Sequence, residues 1–158
     1  LPGMLVGKVV RSPFAHAKII SINKEAALAL PGVVAVLTAE DLKPLNLHWM
    51  PTLAGDVQAV LADEKVSFQY QEVAMVIAND RYIAADAADL VEVEYEELPV
   101  VVDAHKAMDA DAATVRDDLI GKDTAGQGPR KHNNHIFNWD VGDKEATDRA
   151  FGSADVTV

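Results

Sequence analysis

The stretch Gln71–Asp103, QEVAMVIANDRYIAADAADLVEVEYEELPVVVD, decides how the chain folds. Val73, Met75 and Ile77 alternate with Ala74, Val76 and Ala78, so the spacing predicts a strand with two apolar faces, buried on both sides. Asn79-Asp80 breaks the run with turn chemistry. Helix formers follow from Arg81 to Leu90, with Ile83, Ala87 and Leu90 at i, i+4 and i+7 on one face. Val91–Tyr95 then alternates Val91, Val93 and Tyr95 against Glu92, Glu94 and Glu96, the pattern of a strand with one wet face. Strand, helix and strand within about thirty residues has the size of a βαβ unit. The stretch reads as scaffold, with no reactive constellation of its own.

Working outward toward the N-terminus, Met4–Arg11 is an expected strand stopped by Ser12-Pro13, because proline cannot donate to a ladder. Ala17–Asn23 is a second strand, alternating Ala17, Ile19 and Ser21 against Lys18, Ile20 and Ile22. Lys24–Leu30 is a short helix ended by Pro31-Gly32, Val33–Leu37 a buried strand, and Thr38 the N-cap of a turn of helix at Ala39–Leu42. Lys43–Asp56 has two prolines, a glycine and no period, yet holds Leu45, Leu47, Trp49, Met50 and Leu53. A loop so apolar is expected to pack against something, such as a neighbouring domain. Val57–Leu61 and Val66–Phe68 are short expected strands around Ala62-Asp63-Glu64.

Beyond Asp103 the character changes. His105–Met108 is one expected helical turn, and Asp109–Gln127 is acidic, rich in Gly and Ala, and suited to an extended connector. Ile136–Val141 is an expected strand, Asp143–Phe151 a helix capped by Asp143, and Asp155–Val158 the start of another strand. The fold class expected is therefore α+β. A core with a mixed sheet and short helices occupies residues 1–103, and a connector leading into a following domain occupies 104–158. The chain opens on Leu1 and ends on a β-type run, which suggests a segment of a longer polypeptide.

The 158 residues suffice for one domain without staples. With no cysteine, the chain offers no disulfide, thiol nucleophile, iron–sulfur ligand or cysteine zinc site, and it fits a reducing, cytoplasmic setting. A net charge of −11 argues against nucleic-acid binding through the bulk surface. The charge is uneven: residues 60–120 hold fifteen Asp/Glu against four Lys/Arg, while the rest hold ten of each. One part of the surface should be strongly acidic, either a solvated face or a docking face for a basic partner. No apolar run approaches the roughly twenty residues of a membrane span.

Candidate sites are few. Glu92, Glu94, Glu96 and Glu97 form the densest carboxylate group, but like neighbours on one open strand lack the contrasting environments that catalytic carboxylates need. They read as an edge that blocks strand pairing. His132 and His135 lack the further ligands of a zinc site, and His16, His48 and His105 are isolated. Gly126-x-Gly128-x-x-Lys131 has neither the preceding strand nor the following capped helix of a phosphate loop. Ser12, Ser21 and Ser67 sit in no nucleophile elbow. The residues alone give an acidic α+β domain without a visible active site, and an acidic binding module using residues 92–97 stays open.

Four segments resemble a known family. LPGML at Leu1–Leu5 with Arg11-Ser12, AHAKIISI at Ala15–Ile22, ALPGVVAVLTAEDL at Ala29–Leu42 and the stretch Gln71–Asp103 are similar to the N-terminal α/β hammerhead domain of the molybdopterin-binding large subunits of the xanthine dehydrogenase/aldehyde oxidase family. DLKPLNLHWMPTLAGDVQAVLADEKV at Asp41–Val66 and RKHNNHIFNWDVGDKEATD at Arg130–Asp148 resemble its carbon monoxide-oxidising branch. Where other members tend to read Y-x-G-E/Q-PVA, this chain has Phe68-Gln69-Tyr70-Gln71-Glu72-Val73-Ala74, and the missing glycine and proline favour that branch. The resemblance implies a large subunit working with an iron–sulfur small subunit carrying [2Fe–2S] clusters and an FAD medium subunit. It also implies molybdopterin cytosine dinucleotide carrying molybdenum, with a cysteine-held copper. It places no catalytic, cofactor-binding or metal-binding residue on this span, which would serve as a structural wall. Leu45–Leu53 and Arg130–His135 are the expected contacts with the rest of the subunit or its partners. A relative oxidising an aldehyde or N-heterocycle is the alternative within the family.

Overall fold

The computed structural model describes residues 2–47, 57–123, 128, 134–136 and 140–157. The described residues form strands β1 (Val6–Arg11), β2 (Ala17–Asn23), β3 (Val33–Thr38), β4 (Lys65–Val66), β5 (Glu72–Ala78) and β6 (Glu92–Glu97). Helices α1 (Glu25–Ala29), α2 (Ala39–Leu42), α3 (Arg81–Asp89) and α4 (Lys144–Gly152) accompany them, with short 3₁₀ turns at Lys43–Leu45, Lys106–Met108 and Asp117–Leu119. The strands make two three-stranded sheets in the orders β1-β5-β3 and β4-β2-β6, antiparallel throughout. The α+β class holds, with the expected mixed sheet resolved into two antiparallel ones.

The strand–helix–strand stretch is present, but it is not a βαβ unit. β5 lies at the centre of the first sheet with β1 and β3 on its two edges, so the chain leaving α3 has no place beside it. β6, with one apolar and one acidic face, pairs with β2 instead. The helix thus bridges two sheets. Its N-terminus is fixed by Asp80, whose Oδ1 accepts the amides of Tyr82 and Ile83 at 2.8 and 2.9 Å. Its buried face is Ala84, Ala87 and Ala88 rather than the expected Ile83, Ala87 and Leu90, and Leu90 is exposed. Alanine lets the helix lie close to the sheet, and Ile83 instead leans over Gly32.

Two apolar clusters hold the domain. One gathers Ala27, Val36, Ala74, Val76, Ala87, Ala88 and Val91 between the helices and the first sheet. The other gathers Ala17, Ala62, Val66 and Val73 with Phe14 and Tyr95, whose rings meet edge to face at 5.2 Å. Ile22 and Val93 pack against both clusters and so join the sheets. The largest fully buried side chains are Val66, Val73, Val76 and Ser12, so the core is built of small residues. Many larger apolar side chains stay outside it.

A register shift between Ile19 and Ser21 changes the phase of β2. Ile19 and Ile22 therefore face the core while Ile20 is exposed, which strict alternation could not anticipate. Other expectations are corrected. Val57–Leu61 forms a single bridge at Ala59 rather than a strand, because the chain turns so that the Ala62 amide reaches the Glu72 carbonyl at 2.7 Å. The strand expected at Val66–Phe68 is Lys65–Val66, since Phe68 enters a turn. Residues 155–157 are not strand, nor are 136, 140 and 141, and positions 137–139 and 158 lie outside the described residues. No helix among the described residues is long and apolar enough to cross a membrane.

Candidate functional site

The glutamate face of β6 was the strongest sequence candidate, and the fold engages it internally. Antiparallel pairing places β2 donors opposite three of the four carboxylates, while Glu97 stands opposite Ala17. Lys18 Nζ donates to Glu96 Oε1 at 2.8 Å, Ser21 Oγ to Glu94 Oε2 at 3.2 Å, and Asn23 Nδ2 to Glu92 Oε2 at 3.2 Å. Carboxylates matched one by one across a ladder do not converge on a common point, as a cation or a general acid–base pair requires. No group of three or more His, Cys, Asp or Glu side chains disposed for a metal occurs among the described residues.

Among the described residues no histidine joins a group of three or more metal-ligating side chains. His16 is 5% exposed, with Nδ1 2.7 Å from the Pro99 carbonyl, so Nδ1 carries the hydrogen and donates. Its Nε2 is buried without a hydrogen-bond partner among the described residues. The His105 amide donates to Asp103 in a turn, and His48 and His132 lie outside the described residues. The suggested phosphate loop falls largely outside them too, and the one described amide, that of Gly128, donates to Asp123 at 3.1 Å. Ser12 is fully buried and structural: its Oγ accepts the Phe14 amide at 3.0 Å.

The connector folds back on the core. Leu119 is buried, Lys65 pairs with Asp117, and Arg116 holds Asp118 through Nε at 2.7 Å. Both carboxyls are held below the usual range, Asp117 first by the Lys65 hydrogen bond and Asp118 first by that of Arg116. A cleft of about 500 Å³ opens between this segment and β4, lined by Lys18, Lys65, Phe68 and Arg116 among others. Its charged groups are largely committed to one another. Asn134, within the Arg130–His135 stretch expected to contact the rest of the subunit or its partners, staples the connector: Oδ1 accepts the Val115 amide at 2.8 Å, and Nδ2 reaches the carbonyls of Ala113 and Ala107 at 2.9 and 3.1 Å. Residues 130–133 lie outside the described set. Leu45 and Leu47 are exposed, while the remainder of that apolar loop is outside the described residues.

Three features escaped the sequence reading. Asp41 Oδ2 accepts the Thr38 amide at 2.8 Å, the Thr38 hydroxyl at 3.0 Å and Lys24 Nζ at 2.7 Å. The Lys24 ammonium above all, then the Thr38 amide, hold its carboxyl below the usual range. The T-x-x-D spacing was the available signal. Second, Tyr70 stands at φ +66°, where a bulky side chain costs about 1–2 kcal/mol. Third, the outer face of the first sheet, opposite the helices, is apolar throughout. Registers place Gly7, Val9, Ala35, Leu37, Met75 and Ile77 together there, none in either core cluster. A Cβ on Gly7 would stand 2.5 Å from Met75 Cε, so the absent side chain lets Met75 lie flat. An antiparallel sheet with a wet outer face alternates polar residues there, and this one does not.

The aldehyde oxidase and xanthine dehydrogenase a/b hammerhead domain matches residues 1–99. The chain is 66% identical to the carbon monoxide dehydrogenase large chain of Hydrogenophaga pseudoflava, over 100% of its own length and 20% of that relative's. It is 67% identical to the corresponding large chain of Afipia carboxidovorans, over 99% of its length and 19% of the relative's. The crystal structure of a Cu,Mo-CO dehydrogenase in the carbon monoxide-reduced state superposes with a TM-score of 0.83 at 67% identity, covering 99% of this chain and 20% of that one. The chain thus spans about a fifth of the length of the relatives it matches. From fold, ladder and match together, it belongs to the aldehyde oxidase and xanthine dehydrogenase family and carries that family's hammerhead domain.

Proposed function

We propose that this chain is the N-terminal structural domain of the large subunit of a cytoplasmic molybdenum hydroxylase that oxidises CO. Water supplies the oxygen, and the products are CO₂, two electrons and two protons. The observation that carries the reading is 66% identity over the whole span to a carbon monoxide dehydrogenase large chain. In this reading residues 1–103 are the hammerhead core and 104–158 the connector into the next domain. The residues present do not fit the cofactors the family implies: copper would need a thiolate, and the chain has no cysteine. Molybdopterin cytosine dinucleotide with its molybdenum belongs to later parts of the large subunit, [2Fe–2S] clusters and FAD to partner subunits. What this domain contributes is a wall, and the apolar outer sheet face supports that role.

The decisive experiment expresses the complete gene product with its partner subunits and supplies carbon-labelled CO together with an electron acceptor. Label entering CO₂ is the expected result. Turnover of an aldehyde or N-heterocycle instead of CO would establish the related hydroxylase. The 158-residue chain by itself is expected neither to oxidise CO nor to retain molybdenum, and either outcome would overturn the assignment of chemistry to the rest of the subunit.

A further inference from the structure

The turn between β4 and β5 holds Tyr70 in the left-handed region, φ +66°, where glycine or asparagine sits without strain. The conformation is over-determined. The Tyr70 amide donates to the Ser12 carbonyl at 2.9 Å, and its carbonyl accepts from Arg11 Nη1 at 2.8 Å. The Gln71 amide closes the turn on the Phe68 carbonyl at 3.2 Å, and the Gln71 side chain accepts the Ser67 amide at 2.6 Å. All of these contacts use backbone atoms of Tyr70 or belong to its neighbours, and glycine would make them equally well.

The side chain returns nothing inside the chain. Tyr70 is 63% exposed, and its ring and hydroxyl have no partner among the described residues. Phe68, two residues earlier, is 44% exposed beside it. A strained backbone presenting an unsupported aromatic residue places that residue's use outside the domain. Tyrosine is also among the side chains that most often anchor protein interfaces, being large, stiff and polar only at its tip.

We propose that Tyr70 is an interface anchor whose ring seats in an apolar pocket on another domain of the same large chain. This rests on the reading above that the chain is part of such a subunit. The commitment to the same chain follows from two observations: the domain is about a fifth of its relatives' length, and a rigid, uncharged aromatic tip suits a permanent contact more than a transient one.

The test uses the full-length large chain in its complex, comparing hydrogen exchange of wild type, Tyr70→Gly, Tyr70→Asn and Tyr70→Phe. Relief of backbone strain alone predicts slower or unchanged exchange in the Gly and Asn variants. The anchor predicts the opposite: residues 68–72, and a second stretch elsewhere in the large chain, exchange at least about fivefold faster in both, while Phe stays near wild type. Asn guards against the intrinsic looseness of Gly. Unchanged or slower exchange overturns the proposal, and so does faster exchange confined to residues 68–72. Release of a partner subunit without a second affected stretch in the large chain overturns it as well. Substrate is read separately: a complex that oxidises an aldehyde rather than CO removes the functional reading and leaves this result standing.

Discussion

β5 and β6 flank one helix yet end in sheets of opposite character. The first sheet carries helices on one face and an apolar surface on the other, where Val73 joins the second core cluster and Val9, Leu37, Met75 and Ile77 are half-buried. The second turns outward a ladder in which Lys18, Ser21 and Asn23 each satisfy a glutamate of β6. A ladder already satisfied is finished as a water-facing surface. An apolar sheet face is not, since water gains no hydrogen bond from it and a covering layer gains its full area. The acidic patch that draws attention in the sequence is therefore the quieter of the two faces.

The largest effect that can break this comparison lies in adjacent residues of β5. Val76 is fully buried beneath the helices, whereas Met75 points to the outer face. Val76→Ala should destabilise the 158-residue chain by about 2 kcal/mol, through lost transfer energy and a cavity under close-packed alanines. Thermal melts would show this as a fall of roughly 4–8 °C. Met75→Ala should cost under about 1 kcal/mol in the same chain, because among the described residues its side chain is only half-buried. In the full-length subunit the two costs should become similar. Equal costs already in the short chain would mean that the outer face is core.

Asp41 gives the next effect, at the end of the first sheet. Its folded pKa is depressed, so its contribution is complete above the ordinary carboxylate value and fades as pH falls through the lower folded value. Asp41→Asn should lower stability near neutral pH by about 1 kcal/mol, because a neutral amide oxygen accepts the Thr38 hydrogen bonds more weakly than a carboxylate and the Lys24 pair, itself weakened by solvent, is lost. Melts between neutral pH and the region below the ordinary value of 3.8 should bring variant and wild type together at the acid end. A difference that persists there would mean that the amide cannot replace the carboxylate for reasons other than charge.

Much of this architecture is legible in the residues. The bounds of β2 and α2, the Asp143 cap and the apolar–acidic alternation of β6 follow from period and cap chemistry. Sheet membership does not, because it depends on which edges are already occupied, and β5 has none free. The bulge at Ile20 and the helix stripe displaced to Ala84 and Ala88 are likewise settled by packing between elements distant in sequence. As for a site, the glutamate group is legible in the residues, whereas the pairing that engages Glu92, Glu94 and Glu96 with β2 side chains is set by the fold. The glycine missing from the 68–74 segment was the available signal for the left-handed backbone at Tyr70. Asn134 could not be read, since it meets carbonyls 21 and 27 positions away.

The smallest effect concerns the ladder itself, through a double-mutant cycle on Lys18 and Glu96. Both side chains are about half exposed, so their 2.8 Å contact competes with water at high dielectric. The expected coupling is about 0.2–1 kcal/mol at low salt. It should shrink toward zero near 1 M salt, where the screening length is about 3 Å. The pairs of Ser21 and Asn23 have neutral donors and should lose less of their coupling in salt. Val76→Ala has no charge to screen, so its cost should not follow the Lys18–Glu96 coupling toward zero across the same NaCl series. A coupling above about 2 kcal/mol, indifferent to salt, would be the signature of a desolvated pair. The β2–β6 face would then be a covered surface like that of β1-β5-β3, and the contrast between the sheets would fail at the point where it is easiest to measure.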